Sequence, residues 1–154
     1  MQSYYLPTQI ITGAGCFQQL GQAVARTAPA DGRRALLVCD QRLAECTDVL
    51  QRAQALLTAA GVTSVVFDEV AREPELPIVS AGIRRANEAD ARVVVGIGGG
   101  SAMDTAKAAA GVIPNSGGVR DYLEGVGAAK IAANPLPFIA APTTAGTGSE
   151  VTKN

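Results

Sequence analysis

The run Gly96-Ile97-Gly98-Gly99-Gly100-Ser101 holds the residue types that binding a diphosphate requires. Glycine lets a backbone bend sharply and approach an anion with no Cβ in the way. The run opens a helical pattern, whose first N–H groups lack partners and carry a partial positive charge. Ser101 can cap that helix or donate its hydroxyl to phosphate. With Asp104 three residues on, the plainer reading is a tight turn closed by a capping box. Three successive glycines exceed what a cap needs, so phosphate binding is the preferred expectation. Asp104 and Lys107 fall on neighbouring helical positions, and a cap with a surface ion pair stands beside ligand contact as their role.

Asp40 directly follows the apolar run Ala35–Cys39. A carboxylate at such a strand end can accept hydrogen bonds from adenine-ribose hydroxyls and repel the 2′-phosphate of NADP; the alternative is a loop-starting Asx-turn. Gly13-Ala14-Gly15, with Asp40 about 25 residues later, resembles the spacing of a dinucleotide fingerprint. Gln18 occupies the third small position, however, and the preceding strand signal is short and polar, so this pair ranks below the triple glycine. The stretch Pro142–Glu150 carries hydroxyls at Thr143, Thr144, Thr147 and Ser149. Such a loop can donate to ribose, phosphate or a base edge, whereas a plain turn capped by Ser149 explains only one of them.

These residues need strand ends to hold them. Ala35–Cys39, Val65–Phe67, Val93–Ile97 and Leu136–Ala140 are short apolar runs of the kind that strands covered on both faces require. Ser3–Leu6 and Gln9–Ile11 are expected as a weaker N-terminal strand pair. Helical spacing marks Asp48–Ala60, with Thr47 or Asp48 as cap and Gly61 as terminator. A second helix carries Pro77 in its first turn, a third runs from Ser101 to before Pro114, and a fourth is expected over Gly13–Ala25. Asn115–Gly118 and Gly125–Asn134 read as loops. Gly148–Asn154 reads as a helix start cut after one turn. The fold class is α/β: a Rossmann-like, mostly parallel sheet with helices on both faces.

Composition bounds the function. The 154 residues suit one domain, and 47% hydrophobic with 18% charged residues describe a packed chain, not a disordered one. A net charge of −1 offers no basic field for nucleic acid. No apolar run reaches the roughly 20 residues that span a bilayer, and Met1–Gly15 lacks the basic start of an export signal. Cys16, Cys39 and Cys46 have no C-x-x-C spacing and read as reduced, mostly structural thiols of a cytoplasmic protein. Histidine is absent. Imidazole is the commonest metal ligand and neutral-pH acid/base, and without it, and without clustered cysteines, a zinc or iron site would need carboxylates alone.

G-G-G-S-x-x-D-x-x-K (Gly98–Lys107), followed by P-T-T-A-G-T-G-S-E-V-T (Pro142–Thr152), resembles the iron-containing alcohol dehydrogenase family over essentially the whole chain. The resemblance implies that Gly98, Gly99, Gly100 and Ser101 form the pyrophosphate turn and that Asp40 favours NAD. It also implies that Thr143, Thr144 and Thr147 contact the nucleotide; Asp104 remains a cofactor-contact candidate on its spacing alone. It further implies a second, all-helical domain carrying an Asp and three His ligands for Fe²⁺ or Zn²⁺, absent from residues 1–154. The expected function is thus the NAD-binding half of an alcohol dehydrogenase, catalytically incomplete alone, whose full-length parent takes a small alcohol or aldehyde, with a homodimer as a candidate assembly. A stand-alone nucleotide-binding module and a glycerol-dehydrogenase-like or dehydroquinate-synthase-like enzyme are the competing readings. Pro74-Glu75-Leu76-Pro77 departs from the family's P-N-P-T, which removes any cofactor contact from that Asn.

Overall fold

Burying the run Ala35–Cys39 on both faces organises the whole chain. The structure, a computed structural model, describes residues 8–71 and 75–152. A 3-10 turn at Cys16–Gln19 leads into α1 (Leu20–Thr27). Then come β1 (Arg34–Asp40), α2 (Gln41–Cys46), α3 (Val49–Ala59), β2 (Thr63–Val70), α4 (Leu76–Glu88), β3 (Val93–Gly98) and α5 (Gly100–Val112). A further 3-10 turn at Val119–Tyr122 precedes β4 (Phe138–Pro142). The strands are parallel, in the order β2-β1-β3-β4. The chain moves outward from β1 to β2, then crosses back over β1 to add β3 and β4. The direction reverses between β1 and β3, where Leu36 pairs with Val94 and Cys39 with Ile97. At such a reversal the connections diverge and leave a crevice beyond the strand ends.

Alternate strand residues face opposite sides. Leu37, Cys39, Val95 and Ile97 pack with Leu20 and Val24 of α1 and Leu50, Ala53 and Leu57 of α3. Leu36, Val38 and Val94 pack with Ala86 of α4 and Ala106 and Ala110 of α5. All of β3 is buried, which is why a continuous apolar run encodes it.

Close helix approach needs a missing side chain at Gly21 of α1. A Cβ there would lie 2.0 Å from the Leu56 carbonyl oxygen. Backbone cannot yield as a flexible side chain does, so Gly21→Ala is expected to push α1 off α3 and cost about 1–3 kcal/mol. Urea unfolding reads that loss; an unchanged midpoint would show that the two helices are not in this contact.

The strongly periodic elements form as expected. Asp48 occupies the N-cap position of α3, but the capping oxygen belongs to Thr47, which accepts from the Val49 N–H at 3.3 Å. Gly61 follows the helix with φ +71°. Pro77 lies in the first turn of α4, and α5 stops before Pro114. Asn115 Oδ1 accepts from the Ala132 and Ala133 N–H groups, both at 3.0 Å, joining the two expected loops. Among the described residues no helix is long and apolar enough to cross a membrane.

Other boundaries differ. Over Gly13–Ala25 the chain first makes the 3-10 turn, and α-helix begins only at Leu20. β2 extends beyond Val65–Phe67 in both directions. The strand expected at Leu136–Ala140 is displaced to Phe138–Pro142. Pro137 has no N–H for the ladder; its carbonyl accepts from Val94, while the Leu136 N–H turns away to Ala110 O at 2.9 Å. Gln9–Ile11 is irregular, with Ile10 73% exposed, so no apolar surface holds it as a strand. Its expected partner, Ser3–Leu6, lies outside the described residues. Over 148–151 the chain makes one turn, in which the Val151 N–H donates to Gly148 O at 2.9 Å; the end of the helix start expected over Gly148–Asn154 lies outside the described residues.

Candidate nucleotide site

The crevice beyond β1 and β3 is a cavity of about 870 Å³. Its wall includes Asp40, Arg42, Cys46, Thr47, Val70, Ala71, Gly99, Ser101, Thr143 and Thr144. Asp40 ends β1, Gly99 follows β3, and Thr143 follows β4. Three parallel strands therefore deliver the acidic, glycine-rich and hydroxyl-bearing segments to one place. Gly13 and Gly15 are not on this wall; Gly15 occupies the N-cap position of the 3-10 turn before α1, so the fingerprint-like spacing does not bring them to the cavity that Asp40 lines.

Asp40 has two jobs in this geometry. Its Oδ1 accepts from the Leu43 N–H at 2.8 Å and caps α2. Its Oδ2 lies 2.7 Å from where a Cβ on Gly98 would stand. The carboxylate is thus seated against the β3 turn, and both the Asx-turn reading and the wall position hold. Gly98 has φ +144°, a conformation that L side chains rarely adopt.

Gly100 is glycine for close approach too, whereas a side chain at Gly99 would make only ordinary contact. A Cβ on Gly100 would meet Thr147 Oγ1 at 2.8 Å and Ser149 Oγ at 3.3 Å. One on Gly99 would meet Thr144 Oγ1 at 3.6 Å. Gly99 occupies the N-cap position of α5 and has no side chain with which to cap it. Ser101 is therefore in the first turn and is not the cap, and the capping box with Asp104 does not form. The start of α5 borders the cavity at Gly99, Ser101 and Ala102, and a helix N-terminus with a glycine at its cap position suits an anion.

Asp104 and Thr147 lie off the cavity wall. Asp104 Oδ1 pairs with Lys107 Nζ at 3.0 Å, and its Oδ2 accepts from Ser149 Oγ at 3.3 Å. Thr147 Oγ1 and Ser149 Oγ are 2.9 Å apart. Gly98 and Gly100 stand behind the wall. Arg42, Cys46 and Thr47 reach it through α2 and the turn after it, neither of which the sequence reading assigned. A signal was present: Asp40 as N-cap before Gln41-Arg42-Leu43-Ala44-Glu45, with Gln41 Nε2 donating to Glu45 Oε1 one turn on at 2.8 Å.

The cysteines divide by environment. Cys46 is exposed on the wall, whereas Cys39 is buried in β1. Burial pushes the Cys39 thiol from 9.0 up to about 12, and the Asp40 and Asp68 carboxylates add to the effect. A thiol whose folded value is raised contributes stability in full below its unfolded value and loses it as pH climbs toward the folded value. Stability is thus expected to fall between about pH 9 and 12, by on the order of 1 kcal/mol per unit. The slope should be shallower in Cys39→Ala. Identical alkaline slopes in the two proteins would remove Cys39 as the cause.

An all-parallel doubly wound sheet, with helices on both faces and its cavity at the switch point, defines a Rossmann-like α/β domain. The chain belongs to the iron-containing alcohol dehydrogenase family, whose family model matches residues 7–154. Alcohol dehydrogenase 4 of Saccharomyces cerevisiae (strain YJM789) is 36% identical over 150 residues, covering 97% of this chain and 37% of that protein. The crystal structure of an archaeal halo-thermophilic alcohol dehydrogenase from a Red Sea brine pool superposes with a TM-score of 0.87 at 32% identity, over 99% of this chain and 39% of that one. Sulfoacetaldehyde reductase from Bifidobacterium kashiwanohense, solved in complex with NAD⁺, superposes at 0.82 with 29% identity, over 99% and 38%. The chain thus spans well under half the length of the relatives it matches.

Proposed function

We propose that this chain is the NAD-binding domain of a metal-dependent alcohol dehydrogenase, acting in the cytoplasm on a small alcohol or aldehyde. One observation carries the reading: Asp40, Gly99 with Ser101, and Thr143–Thr144 meet at one cavity although they follow separate strands. In this reading the first-turn amides of α5 and Ser101 hold the pyrophosphate. Asp40 accepts from adenine-ribose hydroxyls, and Thr143 and Thr144 donate to the nucleotide. Gly98 and Gly100 permit that packing without touching the cofactor. When bound, NAD supplies a hydride acceptor at its nicotinamide ring. The reductase that resembles this chain and was solved with NAD⁺ supports the assignment.

The residues here do not fit a metal. The sequence has no histidine, and among the described residues no group of three His, Cys, Asp or Glu side chains could hold one. The reading therefore assigns Fe²⁺ or Zn²⁺ to ligands elsewhere in a longer parent, and these residues to orienting the cofactor. A polypeptide of these 154 residues is expected to bind NADH, seen as enhanced nicotinamide fluorescence, yet to reduce no NAD⁺ with added alcohol and metal. Failure to bind NADH at millimolar concentration would sink the dinucleotide reading. Metal-dependent turnover by a preparation of verified mass would sink the division of labour.

A further inference from the structure

We propose that Asp104 is a positioning residue, held by Lys107, that latches the loop after β4 onto α5 and so sets Thr143 and Thr144 on the cavity wall. The proposal rests on the dinucleotide reading above and changes the role of Asp104 within it. Asp104 is off the wall, and both its carboxylate oxygens are committed: Oδ1 to Lys107 Nζ at 3.0 Å, Oδ2 to Ser149 Oγ at 3.3 Å. Ser149 is only 6% exposed and continues the chain of bonds to Thr147 Oγ1 at 2.9 Å. Thr147 in turn lies against Gly100, in space that a Cβ would fill. Lys107 also donates to Thr152 Oγ1 at 2.9 Å, so the same ion pair grips the loop at a second point.

At its other end the loop is fixed by the sheet. The Thr143 N–H donates to Gly98 O at 2.9 Å. Thr143–Thr147 is therefore a short span tied at both ends, once through the ladder and once through Asp104. A loop whose backbone is held presents its threonine hydroxyls over a narrower range of positions, and donors placed before the ligand arrives save the cost of ordering on binding. The pair is half-buried, with the Lys107 side chain 14% and that of Asp104 39% exposed; it ties a loop to α5 and joins no strands, so the expected effect of the latch is on local opening of the loop and on affinity.

The test measures two quantities on the full chain: NADH affinity by fluorescence titration, and backbone hydrogen exchange over 143–152. Asp104→Ala removes the carboxylate. Ser149→Ala breaks the same chain of bonds without changing charge. Both are expected to weaken NADH binding about tenfold and to speed exchange in that loop, with little change in the unfolding midpoint. Asp104→Glu, which can still reach both partners, should restore most of the affinity.

Unchanged exchange in both variants overturns the latch, and faster exchange with unaltered affinity overturns its role in positioning. Weakened binding in Asp104→Ala with none in Ser149→Ala would mean that Asp104 touches the dinucleotide itself, which also overturns the proposal. If the unaltered chain binds no NADH, the dinucleotide reading falls. The exchange measurement then still decides whether the loop is latched.

Discussion

Gly98→Ala is expected to lower NADH affinity by about two orders of magnitude and to destabilise the fold. Two costs coincide at this position. A residue with a side chain held at φ +144° carries backbone strain of roughly 1–3 kcal/mol. Its methyl would also fall 2.7 Å from Asp40 Oδ2 and 2.9 Å from Ala102 Cβ, and overpacking of that kind costs about 1–3 kcal/mol more. Relief comes only by moving Asp40 off its seat or by shifting the first turn of α5. Either movement disturbs a group assigned to the cofactor, and about 3 kcal/mol lost from binding is roughly a hundredfold in affinity. Fluorescence titration and urea unfolding together read the two effects. A variant that binds NADH like its parent would show that neither Asp40 nor the α5 start bears on the dinucleotide.

Asp40→Asn is expected to raise NADPH affinity relative to NADH about tenfold while leaving stability nearly unchanged. The carboxylate caps α2 through Leu43, and asparagine caps as well as aspartate does. What the substitution removes is charge. Like charges about 4 Å apart near a surface repel by on the order of 4 kcal/mol before screening, and a third of that is about tenfold in binding. Asp40→Ala removes charge and cap together, so it should show the same shift in cofactor preference plus a loss of about 1 kcal/mol in stability. The pair of variants separates two functions that one residue combines. An Asn variant with the parental NADH-to-NADPH ratio would confine Asp40 to its capping role.

How far the sequence anticipated the molecule depended on the range of the interactions concerned. β1 and β3 were legible because a strand buried on both faces must be apolar at every position, and α3 because its apolar spacing and the terminating Gly61 are local signals. The triple glycine, Asp40 and the Thr-rich stretch stood out for the same reason, as residue types in unusual density beside strand signals. α2 went unassigned since six residues give too short a period to detect, although its cap was in view. The β4 boundaries lie two residues beyond the expected run because the Leu136 N–H is taken by Ala110 O of α5, outside the sheet, a partner that no local spacing signals.

By itself, then, the amino-acid sequence determined the types of the buried strands and the longer helices, the family and the segments able to meet a dinucleotide. Only the tertiary structure decided the strand order β2-β1-β3-β4, and with it which strand ends share a cavity. It also decided that Asp104 and Thr147 face each other through Ser149 and not the cavity, and that Gly98 and Gly100 are glycine because Asp40 and Thr147 press against them. The reason is physical: backbone preference and apolar spacing act over a few residues, whereas these contacts join positions about 45 to 60 apart. Their cost in loop closure is met only by the packed sheet as a whole.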